Sequence, residues 1–211
     1  MTDGYKGYVF DLDGTLYDTS LLDQANERAL QQAIAEWRNI SLNDAEALLE
    51  EHLQRKSAGD NRSSLYKATL STGVPDSVIA KWQKRELHPE EQLEPDMELA
   101  RLLATLARRA QLALITNTRT SIAVRAVSAL GIDPAVFAVL RGGDKLKEPK
   151  PSPRDLQEII QFFAIKPAEC LCVGDRWDVD LQPAQNIGMA VQLVAGRDEL
   201  CTKLIEWLAH I

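Results

Sequence analysis

The sequence predicts an α/β protein with a mostly parallel sheet and an all-helical insertion near its start. Three observations predict it. From residue 96 onward, short apolar runs suited to strands alternate with segments of helical periodicity, the pattern of βαβ units. Residues 20–88 are helical in pattern throughout and interrupt that alternation. The length, 211 residues, suits one domain or a core with a small insert.

The first strand is expected over 5–11, where Tyr8-Val9-Phe10 is β-branched and aromatic. Gly14 turns the chain, and Asp18-Thr19-Ser20 supplies helix-start chemistry. Leu22, Ala25, Ala29, Ala33 and Trp37 recur at helical spacing over Leu21–Trp37. A second helix over Ser41–Leu53 begins with capping residues and carries a Leu42, Ala45, Leu49 stripe. A polar break follows over Lys56–Ser64, then helices at about 63–72 and from Pro75 to about His88. The acidic stretch His88–Pro95, bounded by prolines, reads as the return linker. Beyond it the expected helices are Asp96–Arg109, Ser121–Leu130, Pro153–Phe163, Asp180–Ile187 and Glu199–Leu208. The strands between them are Leu112–Ile115, Val136–Leu140, Cys170–Val173 and Met189–Val194.

Composition bounds the function. A net charge of −7 argues against nucleic acid as a main partner, which would call for a basic patch. It leaves room for a small anionic substrate, because a metal and local cations can reverse the field within one cleft. No apolar run approaches the ~18 residues a membrane span needs, and a motif occupies the place of a signal-peptide core, so a cytoplasmic protein is expected. Three cysteines are too few for a disulfide framework and read as packing residues.

The strand-end residues carry the chemistry. Asp11 closes the first strand, and Asp13 follows two positions later, just before Gly14. Two carboxylates this close repel unless something positive sits near them, and Mg²⁺ favours one or two carboxylates plus phosphate oxygens. A carboxylate can also attack phosphorus to form an aspartyl-phosphate, so the chemical reading has Asp11 attacking and Asp13 handling protons. The bland reading is an acidic turn with an aspartate as N-cap. Three further features fall where strands or loops would meet the same edge of the sheet. Thr116-Asn117 precedes a helix and reads as an anion site or a plain cap. Lys150, in Lys150-Pro151-Ser152-Pro153, reads as a point charge on phosphate, preferred over Lys145 and Lys147 because prolines stiffen its backbone. Asp175, Asp178 and Asp180 follow Gly174; Asp175 can reach a cation shared with Asp11, and Asp178 or Asp180 can support a metal-bound water or pair with the lysine. The set is the parts list of phosphoryl transfer.

In this order the motifs resemble the haloacid dehalogenase superfamily, in its phosphoglycolate phosphatase-like branch. The residues that carry the resemblance are Asp11-Leu12-Asp13-Gly14-Thr15-Leu16, Ile115-Thr116-Asn117, Lys150-Pro151-Ser152-Pro153 and Gly174-Asp175 with the acids after it. The resemblance implies a Rossmann-like core over 1–19 and 89–211, with a helical cap over 20–88 inserted after the first motif. It implies Asp11 as nucleophile and metal ligand, and Asp13 as general acid and then base, its backbone carbonyl a second ligand of Mg²⁺. It implies Thr116 and Lys150 on the phosphoryl oxygens, Asp175 as the third protein ligand and Asp180 as the second acid of that motif, with Asp178 in competition. Thr15, Asn117 and Arg62 are the candidate substrate-binding residues, Arg62 because its loop resembles the specificity loop of capped members.

Members that displace halide lack the second aspartate of the first motif; this chain keeps Asp13, which favours phosphate chemistry. The expected function is Mg²⁺-dependent hydrolysis of a small phosphorylated metabolite by a monomer or homodimer. The alternatives are a sugar-phosphate phosphomutase, disfavoured by Thr15 where mutases commonly carry an apolar residue, and a non-catalytic metal-binding regulatory module, disfavoured by intact motifs. A phosphonate-cleaving enzyme would need a cap lysine such as Lys56. The three histidines lie outside the strand-end cluster, so the chemistry expected here does not use them.

Overall fold

The computed structural model describes residues 4–54, 65–148, 150 and 152–210. Lys56, Arg62 and the prolines flanking Lys150 in sequence lie outside the described residues. The chain divides into two compact units, Met1–Thr19 with Pro89–Ile211, and Ser20–His88.

The first unit is built on five parallel strands in the order β3-β2-β1-β4-β5. They are β1 (Gly7–Phe10), β2 (Gln111–Ile115), β3 (Val139–Arg141), β4 (Cys170–Gly174) and β5 (Ala190–Leu193). β1 is central: Phe10 pairs with Leu114 on one side and Val173 on the other. The chain builds outward through β2 and β3, then returns to place β4 on the opposite side of β1. That reversal opens a crevice beyond the carboxyl ends of β1 and β4, where ligands bind in such sheets. The Asp11 N–H donates to the Val173 carbonyl at 2.9 Å, so the first motif leaves the sheet at that crevice.

β1 is buried on both faces, as its unbroken apolar run requires. Val9, with Ala113, Ile115 and Cys172, packs against Leu156, Ile159, Ile160 and Phe163 of α8 (Arg154–Phe163). Tyr8 and Phe10 face the other way, and Tyr8 meets Trp207 of α10 (Arg197–Leu208) with ring centroids 5.4 Å apart. On the α8 side the sheet comes so close that a Cβ at Gly7 would stand 2.7 Å from Ile165.

The second unit contains α1 (Ser20–Arg38), α2 (Leu42–Gln54), α3 (Leu65–Ser71) and α4 (Asp76–Glu86). Leu30, Ile34, Ala45, Leu49, Ala68 and Ile79 form its own core. Glu36 at its rim accepts from Lys81 and from the Trp82 indole, at 2.8 and 2.7 Å.

Three local expectations change. The linker 88–95 contains a short helix, α5 (Pro89–Gln92), which proline starts readily because its missing N–H costs nothing there. The strand expected over 136–140 is a 3₁₀ turn at Pro134–Val136 followed by β3, because Asp133 caps the turn through the Ala135 N–H at 2.9 Å. The helix expected from Asp180 is a π-helical turn, Trp177–Leu181, ahead of α9 (Gln182–Asn186). Pro183 suits the first turn of α9, where its missing N–H is not needed, and the wider turn before it brings Asp180 inward. The remaining helices, α6 (Met97–Ala107) and α7 (Thr120–Ala129), stand within two residues of their expected starts and ends.

Candidate active site

Asp11, Asp175 and Asp180 meet at the crevice, each offering a carboxylate oxygen within 4.8 Å of the others. Asp178, the competing acid, is exposed. The Lys150 ammonium lies among them. It donates to Asp11 Oδ1, to Asp180 Oδ1 at 2.6 Å and to the Ile115 carbonyl at 3.0 Å, which uses all three of its protons. Its backbone N–H is held by the Asn117 side-chain oxygen at 2.9 Å. Lys147 instead pairs with Glu158, and Lys145 is exposed.

The electrostatics are unbalanced. Burial, opposed by Lys150 and reinforced by Asp180 and Asp13, lifts the Asp11 carboxyl to about 8. Burial and the Asp180 charge also raise Asp175. Burial opposes the charge on Lys150, but Asp11 and Asp180 outweigh it and keep it firmly protonated. Two buried carboxylate oxygens, Asp11 Oδ2 and Asp175 Oδ1, have no hydrogen-bond donor among the described residues. An acceptor buried without a donor costs on the order of 1–3 kcal/mol. Both orphans belong to the three-carboxylate group, so an oxygen-seeking divalent cation fits this donor set.

Glycine makes the approach possible. Gly14 has φ +83°, and a Cβ there would stand 2.5 Å from Asp175 Oδ2. A Cβ on Gly174 would stand 2.6 Å from that of Asp180, whose Oδ2 accepts from the Arg176 N–H at 3.2 Å.

Asp13 lies outside the three-carboxylate group. Its Oδ2 accepts from Thr116 Oγ1 at 2.7 Å and from Thr118 Oγ1 at 2.8 Å, and its Oδ1 accepts from the Tyr17 phenol. The Thr116 hydroxyl, expected on an anion, is thus turned to Asp13. The N–H groups expected around it are also engaged: that of Thr118 donates to Thr116 Oγ1 at 3.0 Å and that of Thr120 to Asp144 at 2.6 Å. Thr15 is fully buried, with its hydroxyl unpartnered among the described residues. Asn117 is exposed.

Sequence reasoning did not single out Tyr17, Thr118, Arg141 or Asp155. Thr118 carried a weaker signal: it belongs to the polar run Thr116-Asn117-Thr118 after β2, and the bend there folds its N–H back onto Thr116 Oγ1 at 3.0 Å. Asp155 is buried, accepts from Arg141 at 2.7 Å and from the Lys147 N–H at 3.1 Å, and so ties down the segment that leads to Lys150. Nothing local marks that pairing, because Arg141 lies on a different element.

Residues 5–188 match the family model of haloacid dehalogenase-like hydrolases. The chain belongs to that family. Phosphoglycolate phosphatase of Shigella dysenteriae serotype 1 is 31% identical over 204 residues, spanning 87% of this chain and 78% of the relative. Glyceraldehyde 3-phosphate phosphatase of Methanocaldococcus jannaschii is 27% identical over 197 residues, spanning 91% of this chain and 86% of the relative. A solved 2-haloacid dehalogenase from Pseudomonas syringae pv. Tomato DC3000 shares the fold, with a TM-score of 0.65 and 23% identity over 97% of this chain and 98% of that one. The enzyme stands in the phosphoglycolate phosphatase-like branch of the family. Among the described residues no helix is long and apolar enough to cross a membrane.

Proposed function

We propose that the enzyme is a Mg²⁺-dependent phosphatase for a small phosphorylated metabolite, working through an aspartyl-phosphate on Asp11. The observation that carries this reading is the pair of buried, donorless oxygens on Asp11 and Asp175 beside a fully engaged lysine. A site with surplus buried negative charge is suited to a cation and to the phosphate the cation brings. Asp11 Oδ2, Asp175 and, through its place beside them, Asp180 would hold Mg²⁺, with the Asp13 backbone carbonyl completing the protein ligands. The ion supplies charge neutralisation for the phosphoryl oxygens.

The residues divide the work as follows. Lys150 fixes Asp11 through Oδ1 and sets its attacking carboxylate toward phosphorus. As the Asp11–phosphorus bond forms, the ester P–O bond breaks and Asp13 gives its proton to the leaving oxygen. Asp13, now ionised, takes a proton from the attacking water; the new P–O bond forms as the Asp11–phosphorus bond breaks, and phosphate leaves. Thr116 turns its hydroxyl to a phosphoryl oxygen. Thr15, Asn117 and Arg62 are read as substrate-side residues by family likeness, and the unit 20–88 as the cap, from its all-helical make-up and its place between the first and second motifs. Asp13 separates this reaction from halide displacement, despite the fold shared with a dehalogenase. We place the enzyme in the cytoplasm, as a monomer or homodimer.

The test is phosphate release from a panel of phosphoglycolate, sugar phosphates, nucleoside monophosphates and 4-nitrophenyl phosphate, with and without Mg²⁺. Release that needs Mg²⁺ and favours one small ester supports the reading. Full release in excess chelator, or none from any ester, rejects it.

A further inference from the structure

We infer that Thr118 and Tyr17 are positioning residues for Asp13, holding its carboxylate while Thr116 turns its hydroxyl away to the phosphoryl group. The inference rests on the reading of Asp13 as the proton donor to the leaving oxygen.

Three hydroxyls surround Asp13, and two of them donate to the same oxygen. Thr116 is fully buried at the end of β2, and Thr118 stands two residues beyond it. If Thr116 alone held Oδ2, the demand of a phosphoryl oxygen on its one proton would free the carboxylate at the moment it must be aimed. The Thr118 bond at 2.8 Å, matched with 2.7 Å for Thr116, keeps Oδ2 in place when Thr116 leaves. Tyr17 holds the other oxygen, so the carboxylate cannot rotate about its Cβ–Cγ bond.

Each hydroxyl sits on backbone that is tied down independently. The Thr118 carbonyl accepts from the Gly143 N–H at 2.8 Å, and a Cβ on Gly142 would fall 2.5 Å from that carbonyl oxygen. The Tyr17 carbonyl accepts from the Gly14 N–H at 3.1 Å, and its ring is buried. Hydroxyls both donate and accept, so the same groups can hold Asp13 with or without its proton. The Gly142-Gly143 pair thereby acquires a role: it lets β3's outgoing loop press against the segment that carries Thr118.

The experiment compares kcat/KM for two esters of similar shape in the presence of Mg²⁺. The leaving oxygen of phenyl phosphate has a pKa of about 10 and needs a proton at neutral pH. That of 4-nitrophenyl phosphate departs as the anion. Asp13→Asn should lose far more on phenyl phosphate than on 4-nitrophenyl phosphate. Thr118→Val and Tyr17→Phe should each show a loss in the same sense, about five- to tenfold greater on phenyl phosphate, as expected for one lost hydrogen bond. Thr118→Ser, which keeps the hydroxyl, should restore the wild-type ratio. Equal losses on both esters in Thr118→Val, or a Thr118→Ser ratio no better than that of Thr118→Val, would overturn the inference while leaving Asp13 as the acid. An Asp13→Asn variant without ester selectivity would reject the acid role itself, and the inference with it.

Discussion

Two clusters of cation and carboxylate in the first unit use the same ingredients and end in opposite electrostatic states. In one, Arg197 meets Asp96, Glu98 and Asp198; it grips Asp96 with both Nε and Nη2, the second at 2.7 Å. Asp96 also caps α6 through the Leu99 N–H at 3.0 Å. Its Arg197 hydrogen bonds hold the Asp96 carboxyl below the usual carboxylate range. In the other, Lys150 faces Asp11 and Asp180, and burial with crowding pushes Asp11 up to about 8. Solvent and additional donors complete the first cluster, so it ties α6 to α10. The second is buried and leaves two oxygens without donors among the described residues. Pairing makes a clamp where every acceptor is met; where acceptors outnumber donors, it makes a site that a cation would complete.

The sharpest break of this comparison is Asp11→Asn. The variant keeps shape and removes the attacking oxygen, so turnover should fall by about 10⁴-fold or more while circular dichroism stays that of the wild type. Wild-type rates would sink the aspartyl-phosphate. Next comes Asp13→Asn, expected to cost about 10²–10⁴-fold in kcat, the usual worth of a positioned proton donor.

Metal binding sharpens the contrast directly. Mg²⁺ at about a hundred times its Kd should stabilise the folded enzyme by about 2.7 kcal/mol, seen as a raised Tm, and Asp175→Asn should abolish most of that shift. A Tm indifferent to Mg²⁺ in the wild type would contradict the metal assignment. The pH dependence has a definite sign. The folded pKa of Asp11 lies above its unfolded value of about 3.9, so its contribution to metal-free stability is full below that value. It is lost as pH rises toward about 8. The Tm of metal-free wild type, taken relative to Asp11→Asn, should therefore fall between about pH 5 and 8, and Mg²⁺ should flatten that fall. A difference that grows with pH would refute it.

The smallest effect belongs to the clamp. Arg197→Ala should cost about 1–2 kcal/mol of stability at pH 7, with kcat unchanged. Asp96 has a depressed folded pKa, so the stability it draws from Arg197 is present above about pH 4, its unfolded range, and disappears as pH falls through the folded value. Urea midpoints of wild type and variant should converge at low pH. A gap that persists in acid would place the cost in lost packing instead of lost charge pairing.

Much of the molecule is legible in its sequence. Strong strand runs such as Tyr8–Phe10 and Cys170–Val173 declare themselves because burial on both faces demands continuous apolar sequence. Asp11 and Asp175 were legible because strand ends in parallel sheets converge on one edge, and Lys150 because its proline-stiffened loop before α8 was expected to meet that edge. What failed was local and polar. The 3₁₀ turn at Pro134 and the π-helical turn before Pro183 are decided by single prolines and caps, which periodicity does not weigh. The bond from Thr116 Oγ1 to Asp13 Oδ2 at 2.7 Å joins residues far apart in sequence, so no local pattern announces it.

The sequence by itself determined the parallel sheet, the helical stretch between its first two strands, and the residue types that reach the strand ends. These follow from periodicity, turn residues and the one-edge rule of such sheets, all local in sequence or topological. The tertiary structure alone decided that Asp180, and not Asp178, joins Asp11 and Asp175, because a π-helical turn sets which of the two faces inward. It alone decided that Lys150 is held by Asp11 and Asp180 together. It also gave Asp13 its three hydroxyl partners, drawn from segments about a hundred residues apart. Side-chain partners across that distance are selected by packing and by the need to satisfy buried polar atoms, and neither leaves a periodic trace in the chain.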